Sequence, residues 1–331
     1  MTIKHLIIGG GGPGGFINYG IIKKSNQENI WKYDNIESIY CTSMGTIIGL
    51  ITLFNINWTW SDDFLIKRPW NKLINFNTND YLRVIKQKGL FDIDLMKLIL
   101  SPLLKSVDLD INSTLKDLHN LFPKDYHCFT CNINTSNLLE LENISYKTHP
   151  NLPIVEAIFM SCSIPLLVKP ICRDNKCYID GGFLANVPID QCLKNTNCNL
   201  NEIFGAKYYR PFIAANINDN SSTWNYLVDL IQCLACKLVN QNEEFQNKNV
   251  CIVTGSSDEK PLGEWKYWVN VLNSEKERND LVVIGEKCLL EFLDKNNEIL
   301  LDMKINKDNL KKEKFKYYKF KNIILKRSLS F

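Results

Sequence analysis

Nowhere in the chain do about 18 apolar residues run together, the length a helix needs to cross a bilayer. The longest candidate, Met44 to Ile56, is broken by Gly45, Gly49 and Asn55 and reads as a helix buried on all sides. The opening "MTIKHLIIGG" has one basic residue and a three-residue apolar stretch, too little for the core of a signal peptide. A reducing, cytoplasmic compartment is therefore expected. Histidine is scarce. The four present, His5, His119, His127 and His149, lie in no recognisable triad setting and read as structural. Internal repeats and long flexible linkers are absent. The net charge of +3 over 331 residues is too small to suggest nucleic acid as a partner.

Cysteine is plentiful, at twelve, but its spacing supports neither a zinc site nor a disulfide framework. "CFTC" (Cys128, Cys131) sits in a strand-like stretch, where odd spacing sends the two thiols to opposite faces. "CLAC" (Cys233, Cys236) lies in a helical pattern far along the chain. Without export, structural disulfides are not expected, and most of these cysteines read as small buried apolar residues.

The element pattern alternates strand and helix, indicating an α/β architecture with a mostly parallel sheet. Strands are predicted at Leu6–Ile8, near Ile36–Tyr40, at Tyr126–Asn132 and over "ELENISYKT", with helices starting near Phe16 and at Met44. Residues 58–121 read as amphipathic helix. The aromatics Trp58, Trp60, Phe64, Trp70 and Phe76 are candidates for a cover over a site, with core filling the preferred reading. A short helix is predicted over Ile154–Ser163 and a hairpin over "KPICRDNKCYIDGG", turning at Asp174-Asn175-Lys176. After Asp190 come a helix in "LVDLIQCLACKLV", a strand in "NVCIVTG" and a helix in "LVVIGEKCLLEFLDK".

Three stretches carry chemistry. "IIGGGGPGGF" holds G-x-G-x-x-G in two frames. It could open a dinucleotide-binding unit, but the acidic residue wanted at the end of the next strand is missing; Asp34 and Glu37 lie at or before its beginning. It could equally gather backbone N–H groups into an oxyanion hole. "CTSMG" places Ser43 where a strand turns straight into a helix, the setting of a nucleophile elbow, usually G-x-S-x-G. Gly45 keeps the second glycine, and Cys41 replaces the first. An ordinary helix cap would read the same way at Ser43. With histidine scarce, a carboxylate is the alternative base, and "YIDGGFLANVPID" offers Asp180 followed by Gly181-Gly182.

In this order, "LIIGGGGPGGFINYGII", "CTSMGTIIG", "VEAIFMSCSIPLLVKP" and "YIDGGFLANVPID" resemble the motifs of the patatin-like phospholipase family, over about Lys4 to Asp190. The resemblance implies a three-layer α/β/α fold with a mostly parallel central sheet. It implies a patatin-like domain over residues 4–192; the remainder, 193–331, reads from its own helix and strand pattern as a C-terminal α/β extension packed on it. The resemblance also implies a lipid acyl hydrolase of phospholipase A type that needs no metal or cofactor. Carried over, Ser43 is the nucleophile, Asp180 the general base, and Gly10, Gly11, Gly12, Gly14 and Gly15 the oxyanion hole. Cys41, Met44, Gly45, Gly181 and Gly182 support elbow and dyad. Two places depart from the family pattern: Gly14 stands where a basic residue is usual, and Cys41 at the first elbow glycine. A catalytically weak or inactive lipid-binding protein is the alternative they raise. The substrate expected is a phospholipid or related lipid ester. A basic tail over 304–331 suggests peripheral contact with an anionic membrane surface. From Asp302 to Phe331 ten Lys/Arg face three Asp/Glu, leaving −4 of the chain's +3 for residues 1–301.

Overall fold

The computed structural model describes residues 2–73, 84, 86–136, 138–208, 217–242, 251–255 and 265–295. The chain begins with β1 (His5–Ile8), a tight 3-10 turn at Gly12–Gly14 and α1 (Gly15–Gln27), followed by β2 (Ser38–Thr42) and α2 (Met44–Leu53). Next come α3 (Trp58–Asp62), β3 (Gly89–Phe91), α4 (Ile93–Lys105), α5 (Leu115–Leu121), β4 (Asp125–Asn132) and β5 (Glu140–Ile144). The middle of the chain gives α6 (Ile154–Ser161), β6 (Leu166–Val168), β7 (Ile171–Arg173), β8 (Lys176–Asp180), α7 (Gly182–Ala185) and α8 (Ile189–Thr196). It ends with β9 (Ile203–Tyr208), α9 (Thr223–Asn242), β10 (Cys251–Gly255), α10 (Trp265–Asn273) and α11 (Glu275–Lys295).

β10, β9, β1, β2 and β4 pair in that order, all parallel. Alternation along the strands separates two cores. Leu6, Ile8, Ile39 and Cys128 face the larger one, filled from α1, α2, α6 and α11. Ile7, Tyr40 and Phe129 face the other, closed by Ile189 and Cys192 of α8. The result is three layers, helix on sheet on helix, as the resemblance implied. Residues beyond 193 supply two strands of this same sheet, so it runs on past that point.

The C-terminal helices are held tightly to the first layer. α11 crosses α1 where a Cβ on Gly20 would strike the Val282 carbonyl and one on Gly285 the Ile17 carbonyl. Beside the crossing, Asp62 accepts from the Tyr19 hydroxyl (2.7 Å) and from Lys23, which also reaches Glu286. Arg278 is buried, at 2% exposure, and its guanidinium donates to the carbonyls of Ile66, Arg68, Val271 and Leu272.

Three features differ from expectation. β3 interrupts the 58–121 stretch read as helical, because Gly89–Phe91 finds a parallel partner in the distant β6. Within the same stretch Asp63–Lys67 is a wide π turn that lets Phe64, Leu65 and Ile66 all reach the core. Cys172 and Cys177 form a disulfide across the hairpin, since the two-residue turn at Asp174-Asn175, both at positive φ, sets them directly opposite. The aromatics follow the core reading: Phe64 and Trp70 are buried, and Trp58 and Trp60 pack on the same cluster. Phe76 and the basic stretch 304–331 lie outside the described residues.

Candidate active site

β2 ends at Thr42 and α2 starts at Met44, so Ser43 alone makes the turn, at φ 53° and ψ −129°. A non-glycine residue here is strained by about 1–3 kcal/mol and must be held by its surroundings. The Ser43 N–H donates to Ser161 Oγ (2.9 Å), which donates in turn to the Phe129 carbonyl (2.6 Å). The Ser43 carbonyl accepts from the Thr46 hydroxyl (2.6 Å) and amide (2.8 Å). The Ser43 side chain caps nothing, which disposes of the ordinary helix-cap reading. Gly45 is required by contact, because a Cβ there would enter the backbone of Ile8 and Gly9. Cys41 points away from the serine and presses its sulfur against Gly49 of α2, and burial pushes its thiol pKa well up. Strain of this kind predicts that Ser43→Gly melts above Ser43→Ala, by about 1 kcal/mol or more of stability. Equal melting points would mean the turn is relaxed.

Asp180 arrives beside Ser43 through the sheet. The first half of β4 pairs with β2, ending at Thr42 opposite Phe129. Its second half pairs with β8, antiparallel, beginning with Asp180 opposite Thr130. β5 pairs with the other side of β4 over Cys128–Asn132, overlapping both partners, so β2 and β8 lie in one line and meet end to end. Their C-terminal ends carry Ser43 and Asp180. The carboxylate is 4% exposed; Oδ1 accepts from the Gly182 amide (2.7 Å), and Oδ2 has no hydrogen-bond partner among the described residues. Burial pushes the Asp180 pKa up to about 6, against the opposing pull of the Ser43 hydroxyl and the Gly182 amide. Ser43 thus lies within electrostatic reach of the carboxylate, although no hydrogen bond of ordinary length closes onto Oδ2.

The glycine loop packs over this pair. A Cβ on Gly10 would meet Ser43 Cβ and Asn186 Oδ1, both at 2.8 Å. The Gly10 amide donates to Asn186 (3.0 Å), Gly14 to the Gly11 carbonyl (2.9 Å) and Gly15 to the Gly12 carbonyl. The Gly11 and Gly12 amides make no such bond among the described residues. Those two residues, at φ 147° and 52°, have backbone that side chains rarely allow. Gly14 lies flat against the Tyr208 ring, which fills the space a basic side chain would need. Gly15 receives the Met44 side chain, and Gly12 is covered by the Trp268 indole of α10.

Three polar side chains hold the site and were not singled out from sequence: Ser161, Asn186 and Asn18, whose buried amide donates to the Gly9 and Gly10 carbonyls. Asn186 and Ser161 sit inside quoted motifs, but nothing local marks a side chain whose partner is over a hundred residues away. The histidines are engaged elsewhere: His5 with Ser38, His127 with Asn143 and the face of Tyr40, His119 on Tyr146, and His149 with Thr148. Among the described residues no group of three or more His, Cys, Asp or Glu is placed to share a metal ion.

Several known proteins are similar to this chain. "Probable lipid hydrolase 463L" of Invertebrate iridescent virus 6 is 24% identical over 261 residues, which is 78% of this chain and 80% of that one. "Uncharacterized protein R571" of Acanthamoeba polyphaga mimivirus is 24% identical over 187 residues, covering 56% and 60%. Among solved structures, VipD of Legionella pneumophila aligns over 89% of this chain and 67% of its own, with 15% identity and a TM-score of 0.46. The type III effector ExoU of Pseudomonas aeruginosa aligns over 89% and 53%, with 11% identity and a TM-score of 0.40. The family model for patatin-like phospholipases matches residues 6–193, more than half of the molecule. The chain belongs to the patatin-like phospholipase family.

Proposed function

We propose that this lipid hydrolase cleaves fatty-acyl esters of phospholipids or related lipids through a Ser43–Asp180 dyad. The observation that carries the reading is the strained Ser43 backbone beside a buried carboxylate whose second oxygen is unpaired. Ser43 Oγ attacks the acyl carbonyl while its proton passes to Asp180 Oδ2. The tetrahedral oxyanion is held by the Gly11 and Gly12 amides, with Gly10 tied to Asn186 to fix the loop. The C–O bond to the lysolipid or alcohol breaks as Asp180 returns the proton to the leaving oxygen. A water, deprotonated by the same carboxylate, then releases the fatty acid.

An aspartate at its ordinary pKa would be a weak base for a hydroxyl. Burial raises the Asp180 pKa toward the working pH, and the loose contact with Ser43 is one that bound substrate would tighten. The departures at Gly14 and Cys41 leave nucleophile, base and backbone donors in place, which favours catalysis over lipid binding alone. A fluorophosphonate probe tests this directly. Covalent labelling of the wild type, abolished in Ser43→Ala, with fatty acid released from a mixed lipid panel, is the expected result. No labelling and no fatty acid release would leave the lipid-binding reading.

No helix among the described residues is long and apolar enough to cross a membrane. Contact with an anionic membrane surface through the basic stretch 304–331 remains part of the proposal.

A further inference from the structure

α9 wears its apolar face outward. Tyr226 (49% exposed), Leu227 (37%), Leu230 (41%) and Leu234 (53%) are open to solvent. At 100° per residue these four fall within one arc of about 100°, and Thr223 and Lys237 lie on the same face one turn before and one turn after them. No charged residue interrupts the arc before Lys237, and Asp229 lies off it. A helix on a protein surface ordinarily turns such a stripe inward. Exposed leucines with a tyrosine and a terminal lysine match instead a helix lying in a lipid interface. The approach, at Ile217, is also exposed and apolar (38%).

The position of the helix identifies the occupant. α9 packs against α7, the four residues Gly182–Ala185 that follow Asp180 almost directly. Phe183 and Leu184 of α7 are half-buried, so the element that links the α9 helix to the carboxylate is itself apolar and partly open. A substrate arriving from a bilayer would meet this stripe on its way to Ser43. We propose that the Tyr226–Leu234 face of α9 seats the protein on a lipid surface, at the level of the headgroups, beside the opening of the site. This rests on the acyl-hydrolase reading for its purpose but not for its test. It is distinct from the basic stretch 304–331, because it needs no anionic lipid.

Neutral phosphatidylcholine vesicles in 0.5 M salt silence the charged stretch and isolate the apolar face. Wild type should float with such vesicles, and the double variant Leu230→Gln/Leu234→Gln should float at least five-fold less. Vesicle hydrolysis by that variant should fall about ten-fold, while hydrolysis of dissolved p-nitrophenyl butyrate stays within two-fold of wild type. If the pair fails to fold by circular dichroism, Tyr226→Gln/Leu227→Gln puts the same question to the neighbouring turn. Unchanged flotation overturns the proposal. So does an equal loss on both substrates, which would place the leucines in the interior of the site. So does light scattering that shows a wild-type dimer dissolving in the variant with vesicle binding intact, which would make the face a contact between copies. Ser43→Ala should float like wild type and hydrolyse neither substrate. If the wild type hydrolyses neither, the catalytic reading fails, and flotation still decides this one.

Discussion

Asp180→Asn is expected to lower ester hydrolysis by three orders of magnitude or more and, at the same time, to raise the melting temperature. Both effects have one origin. The carboxylate is buried next to Ser43, and burial holds its pKa at about 6 against an ordinary 3.8. Below about pH 3.8 the group is neutral folded and unfolded and has no effect on stability. As pH rises toward 6 the unfolded chain releases its proton before the folded one does, so the folded state loses stability. Above pH 6 the loss is complete, on the order of 3 kcal/mol for a shift of about two units. Asparagine keeps an acceptor for the Gly182 amide and carries no charge, so the variant should gain stability over wild type across this window and hold it at pH 8. In the wild type, kcat/KM should rise with pH around 6 and level off above 7, because only the ionised carboxylate can take the serine proton. A variant that turns over at the wild-type rate, or a profile flat from pH 5 to 8, would remove Asp180 from the chemistry.

Arg278→Met should destabilise the fold by about 3–5 kcal/mol, read from the denaturant midpoint, although the residue lies far from the candidate dyad in sequence. The guanidinium satisfies four carbonyls on two separate segments, Ile66 and Arg68 after α3 and Val271 and Leu272 at the end of α10. Methionine fills the volume but takes the side-chain donor from the Ile66 and Leu272 carbonyls and leaves Arg68 and Val271 with only the amides of Trp70 (2.9 Å) and Ser274 (3.4 Å). Arg278→Lys should recover part of the loss, since an ammonium can reach some of the carbonyls but not fork between both segments. The same variant should weaken activity secondarily, because α10 carries the Trp268 ring that rests on Gly12. A midpoint unchanged in Arg278→Met would mean the contacts are replaceable by water.

What could be read in the sequence was whatever local backbone chemistry announces. Consecutive glycines, a serine between small residues at a strand end and Asp-Gly-Gly after an apolar strand each constrain their own few residues. Together they located the candidate pair. The strand before Ser43 was read as ending at Tyr40 but runs to Thr42, because pairing with β4 carries it further. The strand at Gly89–Phe91 was hidden inside a helical pattern, since three residues show no period of their own and their partner is about 75 residues away. Ser161 and Asn186 were invisible for a related reason: a lone polar residue in an apolar stretch gives no sign of which distant carbonyl or amide it will meet. Arg278 was hidden the opposite way, as one charge in the polar run Glu275-Lys276-Glu277-Arg278-Asn279-Asp280, where a buried side chain looks like its solvated neighbours. The Cys172–Cys177 disulfide follows from a hairpin legible in the sequence, but cysteine spacing and compartment were both read as arguing against disulfides, and the cross-strand register that sets these two opposite each other was not used.

The end-to-end meeting of β2 and β8 on one side of β4 has a consequence for how the protein is made. Neither strand pairs with the other; each finds its place by pairing with β4, and the contact order of that arrangement is high. A nascent chain emerging from the ribosome, or one partly unravelled, holds the serine and the carboxylate on separate pieces. If the proposed dyad carries the hydrolysis, activity would therefore switch on only in the late step of assembly that pairs both strands with β4.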